Sequence, residues 1–564
     1  MDYKKVYQDW LNNDFFDDET KNELKSIEND EEEILDRFYQ ELAFGTAGLR
    51  GKIGAGTNRM NKYIVARATQ GLAMTIEEYG DEAKKRGVVV CRDVRHKSDE
   101  FAKITAGVLA SNGIKVYYFN EIEPTPVCSY AIRKLKTISG VMITASHNPK
   151  EYNGYKAYWE EGSQILEETA DKIISHINEV KNFSDVKVMD FEDALESGII
   201  EYIDDTLLED YYNDILNMTI NDDEVDKDVK IVYSPLNGCG NIPVRRILTQ
   251  RGFNNIYIVK EQEKPDPDFK TVGYPNPEDP KAFEYSLKLA RDKDADLCLA
   301  TDPDSDRCAV EVKGDDGEYH FLTGNMIGAL MIYYILSERS KRNNIPENST
   351  IVKSIVTSDL SRPICEKYNV ELKETLTGFK NISSIANKFD IDHNGVFLFG
   401  YEESIGYTYG DFVRDKDAVN SAMIISEMTG FYKKQNKTLL DILKNIYEEF
   451  GYYQNNVVSL VFEGADGQKK IKRIMEEVRN NPLNELSGLK VKNTVDYLLD
   501  DTGLQKSNVL KYYFEDSSWF ALRPSGTEPK IKLYINAIGK TQKESEEKLD
   551  GIQKSMIKVI NSVK

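Results

Sequence analysis

Val141-Met142-Ile143-Thr144-Ala145-Ser146-His147-Asn148-Pro149 decides how this chain is read. An apolar run with β-branched residues ends abruptly in a small polar loop closed by proline. Such a run reads as a buried strand. In open α/β sheets, ligands bind at the carboxyl ends of strands. Ser146 is therefore expected as a hydroxyl at the tip of a rigid element, with the His147 imidazole and the Asn148 carboxamide beside it. Ser, His, Asn and Pro also build ordinary turns through side-chain to backbone hydrogen bonds, so the loop takes its meaning from the others that share its design.

Working outward, residues 87–118 read as strand, loop, helix, strand. Val88-Val89-Val90-Cys91 leads into Arg92-Asp93-Val94-Arg95-His96-Lys97, Ser98 is placed to cap a helix running to Ser111, and Gly113 stops it. Alternating units of this kind predict parallel strands with crossover helices. Tyr152-Asn153-Gly154-Tyr155-Lys156 reads as a tight turn returning a lysine toward the serine loop. Residues 1–42 read as charged helices with Trp10, Leu11, Phe15, Phe16, Leu35, Phe38 and Leu42 as the apolar stripe. Phe44-Gly45-Thr46-Ala47-Gly48-Leu49-Arg50-Gly51 then places three glycines around one arginine, which lets backbone approach a ligand while a cation is presented.

A second α/β unit follows an acidic helical stretch at 185–226. It opens at Val229-Lys230-Ile231-Val232-Tyr233 and continues through Ser234-Pro235-Leu236-Asn237-Gly238. Its strand 296–301 runs into Asp302-Pro303-Asp304-Ser305-Asp306-Arg307, and Lys313-Gly314-Asp315-Asp316-Gly317 reads as a hairpin turn. In a third unit, 351–356 and 396–399 read as strands, the second ending in Gly400-Tyr401-Glu402-Glu403-Ser404, and 418–449 is helix-rich. The last hundred or so residues read as a separate α+β piece. There a strand enters Arg523-Pro524-Ser525-Gly526-Thr527, and a closing helix has Leu549, Ile552, Met556, Val559 and Val563 on one face. An apolar run followed by a polar loop thus recurs four times.

With 564 residues and a net charge of −22, the chain is expected to divide into roughly three to five domains. The acidic balance argues against sequence-independent nucleic-acid binding. It leaves room for an anionic small substrate in a locally basic cleft. Six scattered cysteines without a CxxC pair read as buried reduced thiols. No signal peptide opens the chain and no apolar run is long enough to span a bilayer. The expectation is therefore a cytoplasmic protein, with no membrane partner.

The loops carry chemistry as well as pattern. Asp302, Asp304 and Asp306 offer hard oxygen ligands at a density that suits Mg²⁺, and three carboxylates this close repel one another unless a cation neutralises them. An EF-hand fails on the letters, because Arg307 and Lys313 stand where Gly and Glu are needed. An aspartyl-phosphate hydrolase of the haloacid dehalogenase type is weakened by Asp306, which stands where Thr or Val belongs. Arg523, Ser525, Gly526 and Thr527 have the inventory of a phosphate nest. Glu402 and Ser404 offer an acceptor and a donor-acceptor suited to sugar hydroxyls.

The ordered set Thr144-Ala145-Ser146-His147-Asn148-Pro149, Asp302-Pro303-Asp304-Ser305-Asp306-Arg307, Gly400-Tyr401-Glu402-Glu403-Ser404 and Arg523-Pro524-Ser525-Gly526-Thr527 resembles the α-D-phosphohexomutases, in particular their long phosphoglucomutase and phosphopentomutase branch. The likeness spans nearly the whole chain, from Gly45 to Lys532. It implies an α/β fold of four domains around a central cleft, three related α/β domains with mixed sheets and a C-terminal α+β lid. The boundaries expected are 1–210, 211–322, 323–455 and 456–564.

The resemblance further implies an intramolecular phosphotransferase that interconverts glucose 1-phosphate and glucose 6-phosphate. Phosphomannomutase or phosphopentomutase activity and a Mg²⁺-dependent sugar phosphatase are the alternatives. Ser146 would carry the phosphoryl group and, with Asp302, Asp304 and Asp306, bind one Mg²⁺ per chain. Arg50, Lys156 and Arg307 would lie near the transferred group, with Lys156 or His147 taking the hydroxyl proton. Thr377, Gly378 and Lys380 of the third-domain loop, Glu402, Ser404 and Lys416 would contact substrate, and Arg523, Ser525, Gly526 and Thr527 would hold its remote phosphate. Glucose 1,6-bisphosphate would serve as intermediate and activator. The partner expected is a phosphorylated sugar and not a nucleic acid, and the chain a monomer or weak homodimer. Tyr401 stands where many hexose-specific relatives pass from glycine directly to glutamate, which leaves the choice of sugar open.

Overall fold

The computed structural model describes residues 2–46, 48–462, 464–525 and 530–563, with the backbone alone at 464–466. The chain separates into two compact units. The first comprises Met1–Leu322, Ser383–His393 and Ile405–Asn436; the second comprises Thr323–Ile382, Asn394–Ser404 and Lys437–Lys564. Among the described residues no helix is long and apolar enough to cross a membrane.

In the first unit, the serine strand Ser139–Ile143 lies inside a six-stranded sheet. It pairs in parallel with Val88–Arg92, which continues through Val116–Tyr118 to Ile200–Tyr202. On its other side it pairs antiparallel with Tyr152–Trp159, which carries Leu49–Lys52 at the sheet edge. All five residues of Ser139–Ile143 are buried, as a strand covered on both faces requires. The stretch read as a tight turn is instead the eight-residue strand Tyr152–Trp159. The return is made by the preceding loop, and the strand pairs Met142 with Lys156, so the lysine still reaches the site.

The second sheet of this unit has the order Tyr319–Leu322, Cys308–Lys313, Leu297–Thr301, Ile231–Ser234, Ile256–Ile258. Its last three strands are parallel and its first two antiparallel. The turn expected at 313–317 joins the antiparallel pair.

The helices Tyr3–Asn12, Asp18–Ser26 and Glu31–Phe38 fold onto the first unit through a ring cluster in which Trp10 and Phe16 stack at 4.2 Å, with Tyr63 and Phe183 edge-on. Trp10, Phe16 and Tyr63 are buried, and each contributes about 2–3 kcal/mol by removal of its surface from water. Phe15 and Leu35, counted in the stripe, are 41% and 43% exposed. Three separate helices span these residues, so one periodicity does not describe them. Ser98 is not the helix cap: its hydroxyl donates to Asp93 Oδ1 at 2.8 Å, and Lys97, at φ 64°, takes the cap position of Ser98–Ser111.

In the second unit, Glu371–Thr375, Ser349–Ser354 and Val396–Glu402 pair in parallel. A separate, wholly antiparallel sheet has the order Tyr452–Val461, Lys530–Gly539, Trp519–Pro524, Leu510–Phe514, Leu489–Asp496, Glu485–Leu486. Helices Gly464–Asn480 and Gln542–Ser562 cover it, burying Ile474, Met475, Ile552, Met556 and Ile560. All six cysteines are free and buried.

Candidate functional site

Ser146 follows its strand at φ 51°, a left-handed conformation that a residue with a Cβ adopts only when its surroundings hold it there. The holding group is Arg95. Its guanidinium donates to the carbonyls of Pro149 at 2.9 Å, Tyr152 at 3.0 Å, and Ser146 and Asn148. It is buried, packs over the Phe269 ring and pairs with Asp93 at 3.3 Å. One planar cation thus ties four carbonyls of the turn that presents the serine, and Thr144 Oγ1 accepts from Ser146 N at 2.8 Å.

The Asp loop is fixed in a similar way. Leu297–Thr301 delivers Asp302, and Ser305 takes φ 52°. Asp302 Oδ1 accepts from the backbone N–H of Asp306 at 3.1 Å and Arg307 at 3.0 Å. Gly238 presses against the loop so closely that a Cβ there would stand 2.4 Å from Pro303 Cα. Asp304 accepts twice from Thr125, on backbone and side chain, at 2.8 and 2.9 Å.

These two loops meet within the first unit. Ser146 Oγ donates to Asp302 Oδ2 at 2.8 Å and lies 3.2 Å from His147 Nδ1. One carboxylate oxygen from each of Asp302, Asp304 and Asp306 falls within 4.8 Å of the others. All three residues are buried, and Asp304 Oδ1 and Asp306 Oδ1 have no hydrogen-bond partner. Orphaned carboxylate oxygens in a buried cluster fit a hard divalent cation such as Mg²⁺.

Cations surround the triplet. Lys156 Nζ stands 2.8 Å from Asp304 and 3.2 Å from Asp306, and Lys416 Nζ 3.1 Å from Asp306. Arg307 pairs with Glu278 at 3.2 Å and approaches Asp306 at 3.8 Å. Arg50 Nη1 donates to Asn148 Oδ1 at 3.2 Å, on the serine loop. Burial works against the charge of Asp304, but Lys156 outweighs it and holds the carboxyl below its usual range. Burial and the neighbouring Asp304 and Asp306 push Asp302 well up, the response expected of a carboxyl that shares a buried site with like charges. Lys156 stays charged: burial opposes its charge, and Asp304 and Asp306 more than restore it. Burial, then Arg307 and Arg50, lower His147 well below the usual range, so its ring is neutral.

The second unit carries a separate group. Glu402 Oε1 accepts from the backbone N–H of Gly378 at 2.8 Å, so the Thr377-Gly378 turn and the Glu402 loop meet. Gly378 has φ 106°, which favours glycine there. Thr377, Lys380, Glu402 and Ser404 are half-buried. Tyr401 is fully buried against Gly328, with its hydroxyl 3.5 Å from Ser358 O. Its ring therefore packs in the interior and presents nothing to a ligand. Arg523 and Ser525 lie at the end of strand Trp519–Pro524, and Gly526 and Thr527 lie outside the described residues.

Ser146, His147, Arg50, Lys156, Asp302, Asp304, Asp306, Arg307 and Lys416 are thus gathered in one unit. Thr377, Gly378, Lys380, Glu402, Ser404, Arg523 and Ser525 belong to the other. Arg95, Thr125 and Asp415 were not singled out from the sequence. Asp415 orients Lys416 at 2.9 Å while accepting from Tyr158 and Gln164. The arginine lay in a loop already marked by its place after a strand, the one signal that could have found it.

A serine hydroxyl against a buried carboxylate triplet, ringed by lysines and arginines at strand ends, defines the class of α/β proteins that handle phosphoryl groups with a divalent ion. Four family models described as phosphoglucomutase/phosphomannomutase match: alpha/beta/alpha domain I over 41–183, domain II over 209–315, domain III over 323–450, and the C-terminal domain over 485–553. The chain belongs to the phosphoglucomutase/phosphomannomutase family, within the α-D-phosphohexomutases that the motifs resemble. It is 38% identical over 510 residues to a phosphoglucomutase of Staphylococcus haemolyticus, covering 88% of this chain and 91% of that one. A Staphylococcus aureus phosphoglucomutase is 39% identical over 517 residues, covering 89% and 91%. Among solved structures, parafusin, a phosphoglucomutase from Paramecium, superposes with a TM-score of 0.71 at 19% identity, covering 93% of this chain and 95% of that one. A phosphoglucomutase/phosphomannomutase family protein from Burkholderia thailandensis gives 0.68 at 18% identity, covering 92% and 97%. At these identities the likeness to solved structures is one of fold.

Proposed function

We propose that the chain is an intramolecular phosphotransferase that interconverts glucose 1-phosphate and glucose 6-phosphate in the cytoplasm through a phosphoserine at Ser146 and a glucose 1,6-bisphosphate intermediate. The observation that carries this reading is the 2.8 Å approach of Ser146 Oγ to Asp302 within the Asp302/Asp304/Asp306 cluster. A hydroxyl so placed can be phosphorylated with its new charge beside the metal ligands.

Phosphoryl transfer has a loose transition state, so the residues work by positioning and charge stabilisation. In the donating half-reaction the bond between phosphorus and Ser146 Oγ breaks as a sugar hydroxyl attacks in line. The hydroxyl loses the proton that Ser146 Oγ regains. Neutral His147, 3.2 Å from Oγ, is placed to exchange that proton. Lys156, Arg50 and Arg307, as fixed cations, stabilise the equatorial oxygens. One Mg²⁺ held by Asp302, Asp304, Asp306 and a phosphoserine oxygen would neutralise charge on the transferring group.

The bisphosphate then turns end for end and returns its other phosphate to Ser146, so added glucose 1,6-bisphosphate acts as activator. Thr377, Gly378, Lys380, Glu402, Ser404 and Lys416 are assigned to the sugar, and Arg523, Ser525, Gly526 and Thr527 to the remote phosphate. The division 1–210, 211–322, 323–455 and 456–564 would put the serine loop in the first domain, the Asp loop in the second, the sugar contacts in the third and the phosphate loop in the fourth.

A coupled assay tests the reading. Glucose 1-phosphate should turn over with Mg²⁺ and catalytic glucose 1,6-bisphosphate, faster than mannose 1-phosphate or ribose 1-phosphate. Release of free phosphate without isomerisation would make the chain a phosphatase instead.

A further inference from the structure

The loop after strand Ser349–Ser354 joins two parts of the second unit. Its Ile355 and Val356 are buried in one cluster with Trp519, Ala521 and Tyr534 of the C-terminal sheet. Polar bonds fix the same join. Lys511 Nζ donates to Ile355 O at 2.6 Å and Trp519 Nε1 to Asp359 Oδ2 at 2.8 Å. Asn536 Oδ1 accepts from Ser358 Oγ at 3.2 Å and Asp359 N at 3.3 Å. The sheet that carries Arg523 is therefore docked on residues 355–359.

Glu403 also binds this docking loop. Its Oε2 accepts from Thr357 Oγ1 at 3.0 Å and Ser354 Oγ at 3.3 Å, and the two hydroxyls lie 2.7 Å apart. Ser354 and Thr357 are fully buried, so their bonds to a carboxylate are charge-assisted and hard to replace with water. Glu402, its neighbour, turns instead to Gly378 N.

We propose that Glu403 is a positioning residue that ties the sugar-contact loop to the docking of the phosphate-binding sheet, so that recognition of the sugar hydroxyls and of the remote phosphate is energetically coupled. The inference rests on the mutase reading above. A bond network shared by both loops is the physical element through which such coupling travels. Were Glu403 a sugar contact only, its removal would act independently of Arg523.

Two double-mutant cycles on glucose 1-phosphate test this, pairing Arg523→Lys with Glu403→Ala and with Thr357→Val. The readout is kcat/KM, resolved into kcat and KM. In both cycles the double variant should depart from the product of the single effects by about fivefold or more. The departure should fall on KM, since both loops bind the ground state. Thr357 is buried beneath the loop, so its cycle separates docking from sugar contact. If Glu403→Ala fails to fold, Glu403→Gln and the Thr357→Val cycle carry the decision. Multiplicative effects in an active enzyme overturn the coupling and leave the mutase reading standing. A wild-type chain without mutase turnover overturns that reading and the coupling with it.

Discussion

Ser146 and Asp302, 156 positions apart in sequence, meet through a hydroxyl-to-carboxylate hydrogen bond of 2.8 Å. Replacing Ser146 with Ala removes the hydroxyl proposed to carry the phosphoryl group. Ser146→Ala should lower kcat by at least about 10³-fold, in line with losses on removing a catalytic nucleophile. Its thermal midpoint should change little. Intact mass spectrometry checks the assignment independently: the wild type should show a fraction one phosphoryl group heavier that the variant lacks. Retained turnover in the variant would remove Ser146 from the reaction.

Arg95 should be nearly as sensitive, although its side chain is buried beneath the serine turn. Arg95→Ala releases four carbonyls of the serine turn and leaves Asp93 buried without its guanidinium. Breaking a buried pair costs about 3–5 kcal/mol, and a misplacement of about 1 Å can cost about 10²-fold in rate. Chemical denaturation measures the first effect and kcat the second. Added guanidinium should restore part of kcat in Arg95→Ala. Loss of stability with an unchanged kcat would show that the serine turn holds itself.

The sheet frame and most of the site were legible because strand-end loops announce themselves: an apolar run fixes Val141 to Ile143, and a polar loop of Ser, His and Pro cannot continue it. What escaped was set by tertiary contact. Tyr152 to Lys156 reads as a turn because Asn-Gly is strong turn chemistry. Pairing with Ser139–Ile143 on one side and Leu49–Lys52 on the other overrides that local preference. Ser98 looks like a cap by residue type, yet Asp93, five residues earlier, takes its hydroxyl. Glu403 is indistinguishable from Glu402 in the letters. Only the fold shows one carboxylate on Gly378 and the other on Thr357.

Divalent metal should stabilise the first unit measurably. Three buried carboxylates, two of them with an oxygen that has no hydrogen-bond partner, would bind a cation in the native state and not in the unfolded chain. Mg²⁺ at about 100 times its Kd then adds about 2.7 kcal/mol. Chelation should lower the thermal midpoint and Mg²⁺ should restore it. Asp304→Asn should abolish the response, and calorimetric titration of that variant should show weakened binding. A Mg²⁺ response unchanged in Asp304→Asn would place the ion elsewhere.

Asp417 sets a pH dependence separate from the metal ligands. It is fully buried, and its Oδ1 caps helix Ala418–Lys433 by accepting from Val419 N and Asn420 N, each at 2.9 Å, while Tyr211 donates to both its oxygens. Burial outweighs these bonds and raises its pKa from 3.8 to about 6. The folded protein therefore keeps this proton at pH values where the unfolded chain has lost it. Between about pH 4 and 6 unfolding releases a proton, so stability contributed at this position falls as pH rises through that window, by up to about 3 kcal/mol. Asparagine keeps the acceptor that caps the helix and removes the charge. The difference in urea stability between Asp417→Asn and wild type should thus be small near pH 4 and grow in favour of the variant up to pH 7. A difference that is constant across that range would mean that Asp417 is ionised throughout and that its three donors outweigh its burial.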